Sequence, residues 1–511
     1  LKDCSSLAPV FPSDPGGLMP LYDYDLVVIG SGSGGLTAAR TGARFGAKVL
    51  LLERLPRTGG DCTWHGCVPS KALIRCARAV AESRGGARFG VTGVDLHAVR
   101  ADWEAVKRHV KSCQERIYTQ DDSPEALARE GVEVLCGRAG AFVGPHELAL
   151  SVVEGCEETS DARKTLTADL FVIATGAGPT LPPITGLDKV PFATYETIFD
   201  LPALPERLLV VGGGPIGAEL AQAFARLGSQ VTIVAKLMPR EDDDVREVMT
   251  RAFSADGIQV VEGRATAARR DGNAVSLEVG GRWLEADTVL VCAGRRPKGL
   301  KELALDKAGV ALGEDGGIKV DGRLRTSAKH IFAAGDCLGG LQFTHLAGYQ
   351  GGIAAFNAIM PVGAKAPRPE ACPRCTFTHP EVATVGLTEG EAKTKFGEAA
   401  IVTVRRLDHV DRAVCEGETD GFIKVIHTRK GKVLGATVVA AVAGEIASEL
   451  GLAIAAGATV KTLAGNMHAY PTFSFALFQM AGELKLQGLE RSSTLACLRS
   501  CCGRRLRGAK A

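Results

Sequence analysis

Two cysteines five residues apart are the first residues of this chain that could carry redox chemistry. Cys62 and Cys67 stand in the segment GGDCTWHGCVPSK, residues 59–71. On an ideal α-helix they would be separated by about 7.5 Å of rise, beyond the usual reach of a disulfide, so bridging them requires a distorted helical turn. Gly66 would allow that distortion, and a helix N-terminus would favour the thiolate that performs thiol exchange. The spacing alone is also compatible with two buried thiols.

A glycine-rich loop precedes the cysteine pair. It follows the apolar run Leu26–Ile29, which predicts a buried parallel strand, and it leads into a helical pattern. Its G-x-G-x-x-G glycines are Gly30, Gly32 and Gly35. Such glycines allow a tight turn in which backbone N–H groups and a helix N-terminus approach a pyrophosphate. Glu53, at the end of the next apolar run, could accept hydrogen bonds from ribose hydroxyls, so the sequence predicts a dinucleotide site.

A second unit of the same kind follows the apolar run Leu208–Val211, so the strand–loop–helix pattern is repeated. Its glycines are Gly212, Gly214 and Gly217. Where an acid would be expected the chain has Ala235, followed by Lys236 and Arg240. Loss of the acid beside two cations favours a 2′-phosphate, and therefore NADPH over NADH, unless both cations are simply solvated. Two dinucleotide sites predict a flavin and a nicotinamide that exchange a hydride.

With these motifs in place, the chain resembles the pyridine nucleotide-disulfide oxidoreductases of the glutathione reductase, dihydrolipoamide dehydrogenase and mercuric reductase type. The resemblance runs from about residue 23 to residue 489. Its further marks are ATG at residues 174–176, CAGRRP at 292–297 and IFAAGD at 331–336. It implies FAD on the first glycine loop and NAD(P)H on the second. The FAD contacts would include Glu53, Lys71, Thr175, Gly176 and Asp336, and the NADP contacts would include Lys236, Arg240 and Gly294.

The resemblance also implies catalytic roles. Cys62 and Cys67 would form a redox disulfide, with Cys67 against the flavin as the charge-transfer thiol and Cys62 as the interchange thiol that attacks the substrate. Lys71 matches the family lysine beside flavin N5, and its acidic partner here would be Glu219. That pair would stabilise negative charge on the reduced flavin.

The C-terminal segment HAYPTFSF, residues 468–475, indicates which member of the family the chain is most similar to. Dithiol-exchanging members carry a His immediately before Pro-Thr, supplied by the partner subunit, and a Glu a few residues later. Here those positions are Tyr470 and Phe475. A phenol with a pKa of about 10 does not readily relay a thiol proton at neutral pH, which argues against turnover of lipoamide or glutathione. His468 could substitute if the loop shifts; otherwise it is a structural or solvated residue.

A tyrosine at this place resembles mercuric reductases and mercuric reductase-like flavoproteins, whose acceptor is a soft metal ion. A vicinal pair, Cys501 and Cys502, could hand such an ion to the inner thiols, because thiolates bind soft metals. The pair is followed by a basic tail, so incidental cysteines remain the alternative reading. We expect Hg²⁺ as the first candidate acceptor, with a disulfide, a quinone or another small oxidant also open. Dihydrolipoamide dehydrogenase is the alternative enzyme, and a redox sensor with weak turnover is the alternative of another class.

The predicted fold class is α/β, with two Rossmann-like dinucleotide-binding domains and a C-terminal α+β dimerisation domain, in a homodimer that shares its active site across the interface. The predicted segments are a leader or disordered extension at 1–22, the FAD-binding domain at 23–187 and 298–368, the NAD(P)-binding domain at 188–297, the dimerisation domain at 369–489 and a basic, Cys-containing tail at 490–511.

The composition suits a soluble globular protein. The 511 residues allow about three domains. The 60 Lys and Arg residues nearly balance the 58 Asp and Glu residues, and the net charge of +2 lacks the excess of positive charge that is typical of nucleic-acid-binding proteins. No apolar run approaches the roughly 18 residues of a membrane span. Fifteen cysteines are too small a fraction for a disulfide-stapled scaffold, and the Cys372–Cys375 pair has zinc-knuckle spacing without a second pair nearby. A cytoplasmic or an organellar compartment, plastid or mitochondrial, is compatible with this sequence.

Overall fold

A computed structural model describes residues 22–490, except residues 94, 97, 157–162, 273 and 367–368. The described residues form two compact units. Unit 1 contains residues 22–212, 223–234 and 263–366, and unit 2 contains residues 213–222, 235–262 and 369–490. The predicted leader, except for its last residue, and the predicted tail, except for its first, lie outside the described residues.

The secondary structure is numbered in chain order. The strands are β1 (Tyr24–Ile29), β2 (Val49–Leu52), β3 (Val132–Leu135), β4 (Arg138–Gly144), β5 (Glu147–Val152), β6 (Thr165–Ile173), β7 (Ala177–Pro179), β8 (Ala193–Thr194), β9 (Arg207–Val211), β10 (Gln230–Val234), β11 (Gln259–Val261), β12 (Ala265–Asp271), β13 (Ala274–Val279), β14 (Arg282–Ala286), β15 (Thr288–Val291), β16 (Arg295–Pro297), β17 (Ile331–Ala333), β18 (Arg374–Thr376), β19 (Glu381–Gly386), β20 (Ala400–Arg406), β21 (Phe422–Thr428) and β22 (Val433–Ala440). The α-helices are α1 (Ser33–Arg44), α2 (Gly60–Trp64), α3 (Cys67–Arg84), α4 (Trp103–Ile117), α5 (Pro124–Arg129), α6 (Pro215–Leu227), α7 (Asp243–Ala255), α8 (Thr344–Ile359), α9 (Glu389–Phe396), α10 (Asp411–Glu416), α11 (Ala443–Ala455), α12 (Val460–Leu463) and α13 (Phe475–Glu490).

Unit 1 is built on a parallel sheet. Its strands run in the order β3-β2-β1-β6, β17 also pairs with β6, and the antiparallel strands β5 and β4 continue from β6. The apolar run Leu26–Ile29 lies within β1, as the sequence predicts, and the run Val49–Leu52 forms β2. Every residue of both runs is buried. Burial on both faces explains why these strands read as continuous apolar runs.

The predicted repeat is confirmed in unit 1 by a second parallel group, in the order β10-β9-β15-β8. The apolar run Leu208–Val211 lies within β9, and a glycine loop connects β9 to α6 just as the first loop connects β1 to α1. Both loops therefore begin at the carboxyl end of a parallel strand, where α/β folds bind their ligands.

Unit 2 contains an antiparallel sheet in the order β18-β19-β22-β21-β20. The helix α11 packs against β19 and β22, and its buried face includes Ile446 and Leu450. The predicted α+β character of this region is confirmed.

A buried lysine holds three segments of unit 2 together. The Lys424 side chain on β21 is 0% exposed, and its Nζ lies 3.0 Å from Asp242, 2.8 Å from Asp244 and 3.1 Å from Glu389. These carboxylates belong to the start of α7 and the start of α9. A buried cation is tolerated only when it is paired in this way, so the cluster fixes both helices onto the sheet.

No helix in the described ranges combines the length and the apolar character that crossing a bilayer requires.

Candidate active site

The first glycine loop is shaped by close backbone contacts. Gly30 has φ +98°, and a Cβ on it would lie 2.4 Å from the carbonyl oxygen of Ala174. A Cβ on Gly35 would lie 1.8 Å from the Gly30 oxygen, so α1 can approach β1 only with glycine there. A Cβ on Gly32 would meet nothing within 4 Å. Gly32 therefore faces open space, which is the condition for a pyrophosphate to approach the backbone.

The second loop repeats this geometry. Gly212 has φ +124°, and a Cβ on it would lie 2.3 Å from the carbonyl oxygen of Cys292, while a Cβ on Gly214 would meet nothing within 4 Å. A Cβ on Gly213 would lie 2.3 Å from the carbonyl oxygen of Lys236, so the backbone of Lys236 packs against this loop. The side chains of Lys236 and Arg240 are exposed. Gly217 lies on α6, and Gly294, with φ +119°, faces open space.

Glu53 lies at the carboxyl end of β2 and is only 6% exposed. Its Oε2 accepts hydrogen bonds from the backbone N (2.8 Å) and the Oγ (2.6 Å) of Ser31, and its Oε1 accepts one from the backbone N of Leu55 (2.8 Å). The carboxylate is therefore locked onto the first glycine loop. Because a carboxylate has about four acceptor positions, Glu53 retains capacity for a ribose hydroxyl.

The two cysteines predicted to form the redox pair lie on two different helices rather than on one distorted helix. Cys62 is in the short α2, and Cys67 is the first residue of α3. Gly66 occupies the break between them, and a Cβ there would lie 2.8 Å from the carbonyl oxygen of Asp61. The break brings the two thiols into contact: the pKa of Cys62 is raised first by its hydrogen bond to Cys67 and then by burial. The two sulfurs are not joined in a disulfide in this structure.

Two helix N-termini converge on Cys67. The residue begins α3, and its Sγ lies 3.2 Å from the Oγ1 of Thr344, which begins α8. The positive ends of two helix dipoles and a hydroxyl stabilise a negatively charged sulfur. Thr344 also hydrogen-bonds Cys62, so the two cysteines are distinguished in another way. Cys67 begins the long helix α3, whereas the pKa of the Cys62 thiol is raised by its hydrogen bond to Cys67 and by burial.

A pocket in unit 1 joins the loop and the cysteines. Its volume is about 90 Å³. It is lined by Gly32, Ser33, Gly34, Asp61, Cys62, Gly66, Cys67, Ala174, Arg295, Ala334, Gly335, Asp336, Gln342, Thr344 and Ala347. Segments far apart in the sequence, namely the first glycine loop, the cysteine segment and the residues around 295, 336 and 344, therefore share one cavity.

A charge network forms one side of this pocket. Arg295 Nη2 lies 2.8 Å from Asp61 Oδ2 and 3.0 Å from Asp336 Oδ2. Tyr195 donates its hydroxyl to Asp61 Oδ2 at 3.0 Å, and Lys298 Nζ lies 3.2 Å from Asp61 Oδ1. Burial raises the pKa of the Asp336 carboxyl, while Arg295 opposes that shift.

Two polar atoms near the pocket indicate that a further group binds here. Four side-chain atoms of the described residues are buried without a hydrogen-bond partner: Thr175 Oγ1 and Arg295 Nε beside the pocket, and His379 Nδ1 and Arg405 Nε in unit 2. Buried polar atoms in proteins are nearly always hydrogen-bonded, so such atoms require an explanation. A polar ligand on the first glycine loop would supply one, and the open face of Gly32 gives it room. These residues fit FAD.

The predicted lysine and acid partners lie in different units. Lys71, on α3, donates to Ser70 Oγ at 3.3 Å. Glu219, on α6, is 6% exposed and accepts from the backbone N of Phe377 at 2.9 Å. Their pairing stays a prediction.

Tyr470 is a surface residue of unit 2. It is 63% exposed, its hydroxyl donates to Asp411 at 2.8 Å, and its ring packs against that of Phe475. The hydrogen bond to Asp411 raises the pKa of Tyr470, which makes the phenol a still weaker acid. Its place beside the cysteines of a partner subunit stays a prediction.

His468 is not solvated. Its side chain is 4% exposed, and its Nε2 lies 3.0 and 3.1 Å from the two carboxylate oxygens of Glu449. Its Nδ1 lies 3.1 Å from the carbonyl oxygen of Asn466. This imidazole–carboxylate pair could not be predicted from the sequence, because Glu449 lies on α11 and not in the expected position after the Pro-Thr.

The other metal candidates gain no structural support. No group of three or more His, Cys, Asp or Glu side chains within the described part of the chain is arranged to hold a metal ion, and this includes the surroundings of Cys372 and Cys375. Cys501 and Cys502 lie outside the described residues.

Sequence reasoning missed three residues of the pocket network, namely Asp61, Tyr195 and Lys298. Asp61 directly precedes Cys62, and Lys298 directly follows the GRRP motif at residues 294–297. These positions next to recognised motifs could have marked both residues as candidates for the site. Tyr195 carries no such signal, because its contact with Asp61 spans 134 residues.

Comparison with known proteins supports one family over most of the chain. Residues 24–351 match the pyridine nucleotide-disulphide oxidoreductase family, and residues 372–481 match its dimerisation domain. The mercuric reductase of Streptomyces lividans is 36% identical over 489 residues, covering 94% of this chain and 98% of the relative. The mercuric reductase of Bacillus cereus is 36% identical over 496 residues, covering 94% of this chain and 74% of the relative.

Solved structures also resemble this chain over most of its length. LpdA from Mycobacterium tuberculosis aligns with a TM-score of 0.80 and 29% identity, covering 90% of this chain and 99% of that one. The Cu(II) complex of the HOCl-induced flavoprotein disulfide reductase RclA from Escherichia coli aligns with a TM-score of 0.78 and 26% identity, covering 89% and 99%. The predicted fold class is confirmed.

Gly32→Ala tests the fit of the first loop to FAD. The added methyl has room in the loop itself, but it would occupy the space that the pyrophosphate needs. We expect FAD occupancy, measured from the flavin absorbance of the purified protein, to fall by about tenfold while the far-UV circular dichroism is unchanged. Gly144→Ala is the matched control, because a Cβ there also meets nothing within 4 Å. Full flavin content in Gly32→Ala would contradict the assignment.

Proposed function

The chain belongs to the pyridine nucleotide-disulfide oxidoreductase family, and from that premise we propose that it passes electrons from NADPH through FAD and the Cys62–Cys67 pair to an acceptor, with Hg²⁺ as the first candidate. The family uses FAD and a pyridine nucleotide. The observation that carries the proposal is the single pocket lined by Gly32, both redox cysteines and Asp336.

The chain's own residues would perform distinct tasks. Bound FAD would supply two-electron transfer from the pyridine nucleotide to the disulfide. Reduction of the S–S bond takes two electrons and one proton and leaves one thiol and one thiolate. Thr344 and the N-termini of α3 and α8 would stabilise the thiolate at Cys67, so that Cys62 is the sulfur available to the acceptor. Lys71 and Glu219 would form the ion pair beside the flavin.

The preference for NADPH rests on the second loop. Lys236 packs its backbone against Gly213 and presents an exposed ammonium, and Arg240 adds an exposed guanidinium on the same segment. Cations at this place suit a 2′-phosphate, whereas a ribose 2′-hydroxyl would call for a carboxylate.

The preference for Hg²⁺ rests on the relatives and on Tyr470. Relatives named mercuric reductase match 94% of the chain. A phenol of raised pKa is poorly suited to relay protons between thiols, and reduction of a metal ion needs no such relay. The overall reaction would be NADPH + Hg²⁺ → NADP⁺ + H⁺ + Hg⁰.

The dimerisation domain supports a homodimer in which Tyr470 would face the partner's pocket.

One observation favours a second candidate, a disulfide reductase. His468, which stands two residues before Tyr470 in the sequence, forms an imidazole–carboxylate pair with Glu449. An imidazole paired with a carboxylate can act as the general acid and base that thiol–disulfide exchange requires. The solved structures similar to this chain also include a flavoprotein disulfide reductase. The near-complete burial of His468 within one chain weakens this candidate.

A panel of acceptors tests the function. Steady-state NADPH oxidation is followed with Hg²⁺ in excess thiol, Cu²⁺, lipoamide, oxidised glutathione and a quinone. We expect Hg²⁺ to give the highest kcat/KM and Cys62→Ser to lower that value by at least about 100-fold, because the acceptor would bind the sulfur that this change removes.

The variant Cys113→Ser is the matched control and should retain turnover, since Cys113 lies on α4 and does not line the pocket. Lipoamide turnover that is lost in His468→Asn would establish the disulfide reductase instead. Reduction of the flavin without turnover of any acceptor would establish a redox sensor.

Lys236→Ala tests the coenzyme preference. Removing a charge-assisted contact to the 2′-phosphate should raise KM for NADPH by about tenfold and leave KM for NADH unchanged. Lys430→Ala, another exposed lysine of unit 2, is the control. An equal change for both coenzymes would show that Lys236 does not read the 2′-phosphate.

A further inference from the structure

We propose that Asp61 sets the reduction potential of the Cys62–Cys67 pair and that Tyr195 adjusts this potential through its hydrogen bond to Asp61. The inference rests on the proposed function, because it takes the cysteine pair as a reversible disulfide. Asp61 would be a positioning residue that acts through the adjacent Cys62.

The geometry places a carboxylate, held by three donors, on the residue before Cys62 and in the pocket that both cysteines line. Asp122 is a second carboxylate whose charge acts on Cys62. Asp61 directly precedes Cys62 in α2, and both residues line the same pocket. The Asp61 side chain is 19% exposed. Three donors fix it: the Tyr195 hydroxyl at 3.0 Å, Arg295 Nη2 at 2.8 Å and Lys298 Nζ at 3.2 Å.

The two cations are shared with other carboxylates. Arg295 also contacts Asp336, and Lys298 also contacts Glu196 at 3.3 Å. Three carboxylates therefore face two cations, and the network has a net charge of −1 when all five groups are ionised. Asp61 is consequently not fully neutralised by its ion pairs, and the Tyr195 hydroxyl supplies part of the remaining compensation.

Reduction of the cysteine pair adds negative charge beside this network. The S–S bond accepts two electrons and one proton, and one of the two sulfurs becomes a thiolate. A nearby carboxylate opposes this step through like-charge repulsion, which acts strongly in a poorly solvated pocket. Removing the charge of Asp61 should therefore make the pair easier to reduce. Removing the Tyr195 hydroxyl should make it harder to reduce, because Asp61 then presents more of its charge.

The variants separate charge from packing. Asp61→Asn removes the charge and keeps a carbonyl oxygen for the Tyr195 hydroxyl, whereas Asp61→Glu keeps the charge. Tyr195→Phe removes only the hydroxyl and retains the ring, whose centroid lies 5.0 Å from the Arg295 guanidinium carbon. Asp188→Asn makes the same chemical change as Asp61→Asn at an exposed position of unit 1 and is the matched control.

The holoprotein is equilibrated at pH 7 in buffers of reduced and oxidised glutathione, trapped with N-ethylmaleimide and digested with trypsin. One peptide, residues 58–71, carries both cysteines and no others, so its mass reports the dithiol fraction directly. We expect the midpoint of Asp61→Asn to shift about tenfold toward oxidising buffers, equivalent to about 30 mV for a two-electron couple. Tyr195→Phe should shift about threefold in the opposite direction, and Asp61→Glu and Asp188→Asn should stay within about twofold of the parent.

Opposite shifts for Asp61→Asn and Tyr195→Phe support the proposal, since a purely structural loss would move both in one direction. Shifts of the same sign, or of less than twofold in both, overturn it. If Asp61→Asn does not retain its flavin, the direction of the Tyr195→Phe shift decides alone. A parent protein whose cysteines never form a reversible disulfide would overturn the proposed function itself, which this outcome distinguishes from failure at Asp61.

Discussion

The buried guanidinium of Arg295 is the interaction on which the candidate site depends. It bridges Asp61, which precedes Cys62, and Asp336, which lies in the short 3-10 helix Gly335–Leu338 that follows β17. Both carboxylates are mostly buried, so without this cation they would lie uncompensated in a poorly solvated pocket at a cost of several kcal/mol. Strand β16 carries Arg295 and pairs with β7, whose chain follows directly from Thr175 and Gly176. The Arg295 side chain thereby connects three segments that surround the pocket: the segment with Cys62 and Cys67, the ATG segment at residues 174–176 and the segment with Asp336.

Backbone contacts that only glycine permits give that pocket its shape. Gly30 and Gly212 are each held against a carbonyl of the neighbouring strand segment, at distances where any Cβ would clash. Gly32 and Gly214, two residues later, face open space. The repeated sequence motif therefore has the same backbone geometry at both places: a first glycine packed tightly and a third position left open. The open position leaves the loop backbone accessible, which is what binding of a pyrophosphate requires.

Much of this arrangement could be predicted from sequence because its signals are local. Buried parallel strands read as continuous apolar runs, so the runs in β1 and β9 were identified correctly as strands. The helix break at Gly66 was predicted only as a distortion within one helix, because spacing does not reveal that α2 ends before α3 begins. Contacts between distant segments left no pattern: Tyr195 with Asp61, His468 with Glu449, and the burial of Lys424 among three carboxylates all depend on tertiary packing.

The most direct test of the central claim, that the first glycine loop and the two cysteines form one flavin–disulfide site, is the absorption spectrum of the purified protein after anaerobic reduction with NADPH. A thiolate at Cys67 against oxidised flavin should produce a long-wavelength absorption band in the NADPH-reduced parent protein. Cys62→Ser, which cannot form the disulfide, should show this band before NADPH is added, and Cys67→Ser should show it neither before nor after reduction. Reduction of the flavin with no such band in the parent protein, or a band that survives the loss of Cys67, would contradict it.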